Sequence, residues 1–192
     1  MKEMMSKRGL STIIATVLLL LLTIAAVAIV ASFIIPFARD RPMKATECIP
    51  YQGYFKFEEV FKLGGQEYRY NCYYSNPPNS LQGVSVKAGA DNDTSQNIAG
   101  FNLVFAVKGG EGVTVNVVNG KSFPDFKMLR SSFGNQVNIT KSGETRTYVF
   151  NAGKKYDIIK IYPVLKSGRI CDESDKIEIG VCDGNVIGDL TA

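Results

Sequence analysis

The chain has 192 residues, room for one domain plus an additional segment, and 45% of them are apolar. Half of its formal net charge of +4 comes from Lys2, Glu3, Lys7 and Arg8; the later basic residues are interspersed with acids and form no basic stripe with interleaved aromatics, which argues against nucleic-acid binding. There is no histidine, which excludes Ser-His-Asp and Cys-His catalysis, the H-E-x-x-H zinc site and ordinary histidine metal centres.

Lys7-Arg8-Gly9 stands directly before a stretch, Leu10 to Ala38, without a charged side chain. Leu10–Ile35 is dominated by Leu, Ile, Val and Ala. As a helix it would reach roughly 39 Å, more than the ~30 Å of a bilayer core. Pro36 is expected to end or kink it. The run is apolar on all sides, so it needs lipid or other helices like itself. The cations ahead of it place the N-terminus in the cytoplasm and the chain beyond Arg39 outside. An ordinary secretory signal has an apolar region of only about 7–15 residues. This run is longer, and is expected to be kept.

Lys7-Arg8-Gly9, leading into Leu10-Ser11-Thr12-Ile13-Ile14-Ala15-Thr16 and an unbroken aliphatic helix, resembles the class III signal of archaeal type IV pilins and archaellins. The resemblance covers about residues 4–36. It implies that a prepilin peptidase cuts between Gly9 and Leu10, with Lys7 and Arg8 supporting recognition. Residues 1–9 would be the leader, and residues 10–36 the transmembrane and assembly helix. The implied partners are the membrane before assembly, the peptidase, and identical or related pilin subunits afterwards. The implied role is that of a structural subunit of a cell-surface filament used in adhesion or surface attachment. Bacterial type IV pilins usually carry a glutamate at the fifth mature position. Here that position is Ile14, which points to the archaeal branch. A rival from another class is an uncleaved, single-pass anchor that carries an extracellular binding module. An exported enzyme or solute-binding domain is a third reading, disfavoured by the missing histidines.

Residues 37–50 read as a connector, with Pro36, Pro42 and Pro50 interrupting regular structure. Residues 51–192 read as an extracellular β domain without a convincing amphipathic helix. Short β-branched or alternating runs are expected as strands at Tyr54–Leu63, Glu67–Tyr74, Leu81–Ala88, Phe101–Val107, Val113–Val118, Gln136–Ile139, Thr145–Phe150, Tyr156–Val164 and Lys176–Cys182. The fold class expected is α+β: a long apolar helix and then an antiparallel β-sandwich-like domain. Asn76–Ser80, Lys87–Asn97 and Val164–Ile170 read as loops or turns.

Cys48, Cys72, Cys171 and Cys182 make an even set in an exported chain and suggest two disulfides. Three pairings are possible. Cys48–Cys72 and Cys171–Cys182 are favoured because each brackets a hairpin-sized segment. There is no C-x-x-C spacing, so neither zinc nor any other metal or cofactor is expected. Asn92-Asp93-Thr94 and Asn138-Ile139-Thr140 are N-glycosylation sequons.

Gly109-Gly110-Glu111-Gly112 lacks the Lys-Ser/Thr of a phosphate loop and reads as a turn. Glu58-Glu59 would point to opposite faces of a strand, which does not suit shared acid–base work. Asp91, Asp93 and Ser95 have the spacing of the first calcium-loop ligands, but the later glycine and glutamate are missing. They, and Asp172-Glu173-Ser174-Asp175, read as solvated acidic turns. No enzyme is expected. Nine of the twenty aromatic residues fall in Tyr51–Tyr74. They are expected in the domain core, with a contact surface as the second reading.

Overall fold

The computed structural model describes residues 6–76 and 79–192. Met1–Met5 of the expected leader and Pro77-Pro78 of the expected 76–80 loop lie outside the described residues. The fold is α+β: an N-terminal apolar helix and then a β-rich domain built almost wholly of antiparallel pairs. The chain divides into two units, residues 1–47 and 48–192. The domain therefore begins at Cys48, slightly ahead of the expected Tyr51.

Helix α1 spans Ser6–Cys48, 43 residues. It passes through Pro36 and Pro42, where the sequence suggests an end and a connector. A proline inside a helix loses one backbone bond and costs about 3 kcal/mol. The good helix formers Ala38, Arg39, Met43, Lys44 and Ala45 carry helical backbone past both prolines. A single 3₁₀ turn, Ile49–Tyr51, then leads into the domain with Pro50 in its first positions, where the missing N–H costs nothing.

The domain's strands are β1 (Phe55–Phe57), β2 (Phe61–Leu63), β3 (Gln66–Tyr68), β4 (Cys72–Asn76), β5 (Asn79–Ala88), β6 (Ile98–Ala106), β7 (Gly112–Val118), β8 (Lys121–Ser122), β9 (Phe126–Met128), β10 (Gln136–Val137), β11 (Thr145–Asn151), β12 (Ile158–Leu165), β13 (Asp175–Glu178) and β14 (Gly180–Val181). A short helical turn, α2 (Asn92–Ser95), lies between β5 and β6, and α3 (Gly184–Thr191) ends the chain. One sheet runs β14-β4-β5-β11-β9, with β1 also paired to β5. A four-stranded sheet runs β13-β12-β6-β7. The expected single strand at Tyr54–Leu63 is instead two. β1 pairs with β5, whereas β2 turns back on β3 through Gly64-Gly65, both at positive φ.

The faces of the two larger sheets share one apolar core. β12 alternates along its length, burying Ile159, Ile161 and Leu165. Ring contacts join the sheets: Phe101 meets Tyr148 at 5.7 Å between centroids and Phe105 meets Phe150 at 4.7 Å. Of the aromatic-rich segment, Tyr51, Tyr54, Phe55, Phe57 and Tyr70 are buried, as the core reading expects, and Phe61 is exposed.

Helix α3 corrects the expectation of an all-strand domain. Val186 and Leu190, one turn apart, are buried against Tyr70, Leu81 and Val149. The Tyr70 hydroxyl donates to Asp189 at 2.6 Å, and Arg130 reaches the same carboxylate at 3.2 Å. These bonds hold the Asp189 carboxyl below its ordinary pKa, the Tyr70 bond contributing most.

The cysteine pairing expected from sequence is overturned. The disulfides are Cys48–Cys171 and Cys72–Cys182, with Cα separations of 5.4 and 4.8 Å. Neither expected segment is a closed hairpin. Between Cys48 and Cys72, β1 leaves to pair with β5. Between Cys171 and Cys182, β13 leaves to pair with β12. β14 then runs parallel to β4 with Gly180 opposite Cys72, which carries Cys182 to Cys72.

Buried tyrosines make the domain sensitive to alkaline pH: burial raises Tyr54, and Tyr148 and Tyr70 are shifted further. Burial pushes the Tyr148 hydroxyl up to about 12. Burial, reinforced by the Asp189 carboxylate, raises Tyr70 as well. The unfolded chain ionises these groups near pH 10. Above that pH the folded chain holds more protons than the unfolded one, so stability falls as pH rises. The expected result is a melting temperature that declines from about pH 10 upward, less steeply in Tyr148→Phe. An unchanged slope in that variant and in Tyr70→Phe would refute the assignment.

Candidate functional site

Two regions carry the sequence-predicted residues: the apolar helix and a polar cleft in the domain. Lys7, Arg8, Gly9 and Leu10 lie in the first turns of α1, so the Gly9–Leu10 bond sits in helical backbone. Beyond them, Ile14–Ile35 forms 22 residues long and apolar enough to cross a membrane. Its length is about 33 Å. Its large side chains are exposed all around the helix, from 49% at Val17 to 74% at Phe33. So large an unbroken apolar surface requires a nonaqueous cover.

Two hydroxyls deep in this span are satisfied inside the helix. Thr23 Oγ1 donates to the Leu20 carbonyl at 2.8 Å and Ser32 Oγ to the Ile29 carbonyl at 2.6 Å. Neither side chain is an orphan donor in an apolar surrounding. Ala26 and Ala31 leave a recess on one face, flanked by Val27, Val30, Ile34 and Ile35. Small residues flanked by branched ones permit close approach of a second helix. By length and composition the helix is compatible with a membrane span.

The second region is a cleft of about 830 Å³ in the domain. Both sequon asparagines, Asn92 and Asn138, line it, together with Asn119, Lys141, Arg146 and Lys166. Both are exposed. Their threonines differ. Thr140 is 3% exposed and its hydroxyl is within 3.2 Å of the Tyr148 hydroxyl. Thr94 instead hydrogen-bonds to Asp91 at the start of α2. The two sequons are 46 positions apart in the chain; the fold brings them to one cleft.

The acidic turns have structural work. The Asp91 carboxylate caps α2, accepting from the Asp93 N–H at 3.0 Å and from Thr94. Those bonds, the Thr94 one foremost, lower its pKa. In the second turn, Asp175 accepts from the Phe57 N–H at 2.7 Å, and Ser174 bonds both the N–H and the carbonyl of Phe55. Glu173 pairs with Lys160 at 2.8 Å. This turn fastens β1 to the domain. Glu58 pairs with Lys87 at 2.9 Å. Gly109-Gly110 forms the turn between β6 and β7.

Sequence reasoning missed the Tyr70–Asp189–Arg130 cluster. Arg130 is also unusual in being a non-glycine residue at positive φ, 60°. No local pattern signals it, because Tyr70 and Asp189 are 119 positions apart. No family model, curated protein or solved structure matches the chain.

Proposed function

We propose that this chain is a structural subunit of an archaeal type IV pilus-like surface filament, made as a precursor with a leader of residues 1–9. A prepilin peptidase would cut between Gly9 and Leu10, with Lys7 and Arg8 recognised. Leu10–Ile35 would first hold the subunit in the membrane and then pack against the same helix of identical or related subunits. The β domain, a two-layer sandwich, would face outward and serve adhesion, with sugars on Asn92 and Asn138 sharing its polar cleft.

The observation that carries this reading is the Ile14–Ile35 surface, apolar on every side, with the Thr23 and Ser32 hydroxyls turned onto the helix's own carbonyls. It suits lipid and a helix-packed core equally well. The paired cysteines point to an oxidising, extracellular setting for the domain. Removal of the charged leader would detach the helix end from the cytoplasmic face, since buried cations are costly in lipid.

Mass spectrometry of the N-terminus of chain recovered from its native envelope tests the proposal. The expected mature start is Leu10, with filaments visible by electron microscopy. A start at Met1 or Lys2 overturns it in favour of the uncleaved anchor. A start beyond Ala28 overturns it in favour of ordinary secretion.

A further inference from the structure

The two larger sheets have five edge strands, and four of them are blunted: β1 has three residues, and its Phe55 and Phe57 N–H groups are taken by Ser174 and Asp175. β14 has two residues and β9 three. β13 has four, three of them charged, and its Asp175 is bonded to β1. These are the ordinary devices that stop an edge from recruiting a further strand. β7 has none of them. It is seven residues long, Gly112-Val113-Thr114-Val115-Asn116-Val117-Val118, without a charge or a proline. It pairs with β6 on one side, and among the described residues no strand pairs with its other side. Alternate N–H and C=O groups along that side are open to a partner strand.

We infer that the free edge of β7 is a self-pairing surface, which joins two copies of this chain into one continuous sheet. Three features select a second copy over an unrelated strand. First, antiparallel pairing of β7 with itself, centred on Val115 or on Asn116, keeps the two faces in step. Val113, Val115 and Val117 then continue the apolar face, and Thr114 and Asn116 the polar one. Val115 and Val117 are already buried, whereas Val113 at the end is 42% exposed and in the Val115-centred register faces Val117 of the other copy. Second, the strand carries no charge of its own to repel its copy. Third, the turn before the strand carries Lys108 and Glu111, and Lys121 follows the strand after the Asn119-Gly120 turn. Antiparallel pairing brings the Glu111 end of one copy toward the Lys121 end of the other, at both ends. The contact is two-fold and closes at two copies. It does not depend on the filament reading: an uncleaved anchor would pair in the same way.

The test uses the full chain in detergent micelles, by sedimentation at rising protein concentration. Three proteins are compared: wild type, Thr114→Lys/Asn116→Lys, and Thr114→Glu/Asn116→Glu. Both registers set like charges against each other in either variant. The expected result is a weight-average mass that rises with concentration for the wild type, and a midpoint shifted at least about tenfold upward in each variant. An equimolar mixture of the Lys and Glu variants should regain the wild-type midpoint. That recovery excludes misfolding, and the lost Asn116–Asn102 hydrogen bond, as causes of the shift. A wild type that does not associate through a charge-sensitive contact overturns the inference. So does association that is equally strong in both variants, or a mixture that fails to recover.

Discussion

Replacing Cys48 and Cys171 with serine together should cost the domain about 4 kcal/mol and lower its melting temperature by roughly 12 °C. The bond closes a loop of 123 residues. Loop-closure entropy for that length gives close to 5 kcal/mol as an upper figure, about the top of the usual range. The second bond, Cys72–Cys182, closes 110 residues and gives nearly the same. The two loops overlap in sequence, so their effects should not add. Paired serines avoid a free thiol that would exchange with the other bond. Urea unfolding of the full chain in micelles, with the remaining disulfide verified by mass, provides the measurement. A loss below about 1 kcal/mol would show that the unfolded chain is already restrained, or that the native bond adds little.

Gly83→Ala should cost about 3 kcal/mol or more. Gly83 lies in the middle of β5, between Cys72 of β4 and Val149 of β11. A Cβ there would sit 2.3 Å from the Tyr70 carbonyl oxygen and 3.0 Å from a Leu190 methyl. The obstacle is backbone, so no rotamer change relieves it. The chain at Tyr70–Asn71 crosses over β5 at this point, fixed by Asn71 Nδ2 donating to the Glu58 carbonyl at 2.8 Å and the Ser85 N–H donating to Asn71 at 2.7 Å. Displacing the Tyr70 peptide would also disturb its hydroxyl bond to Asp189 and hence the seat of α3. The variant should melt earlier and show faster hydrogen exchange in α3 than in β12. Wild-type exchange in α3 would mean that Tyr70 gives way without affecting the helix.

The helix and most strands were legible because their information is local. Leu10–Ile35 is too long and too uniformly apolar to be anything but a membrane-length helix. Val113–Val118 alternates, and Thr145–Phe150 and Leu81–Ala88 lie between turn residues, so periodicity and breakers were enough. What failed was non-local. The expected cysteine pairing rested on proximity in sequence, but a parallel β14–β4 pair decided it, and a two-residue strand leaves no periodic trace. Helix α3 is eight residues with two glycines, so propensity argues against it. The burial of Val186 and Leu190 outweighs that cost. The prolines at 36 and 42 look like breaks because the local rule is strong, yet α1 continues past them.

The candidate site was legible only where it is made of one segment. The Gly9–Leu10 junction and the span behind it can be read from adjacent residues. The cleft that gathers Asn92, Asn138 and Arg146 cannot, since five separate stretches of the chain supply it. The acidic stretches read as solvated turns; their role in fastening β1 and capping α2 needed partners that local spacing does not reveal.

The crossed order of the disulfides also sets how the domain bears tension. Cys48 lies where α1 ends, and Cys171 near the end of the chain. A pull entering at Cys48 and leaving at the C-terminus bypasses every strand from β1 to β12 through one sulfur–sulfur bond. Between Cys48 and Ala192 full extension is then limited to roughly 21 residues, about 70 Å, instead of roughly 490 Å for the same stretch unbridged. Because the second loop overlaps the first, a peptide bond cut anywhere between Cys48 and Cys182 leaves both fragments covalently joined. A domain exposed to shear and to extracellular proteases would thus be stretched little and nicked without being shed.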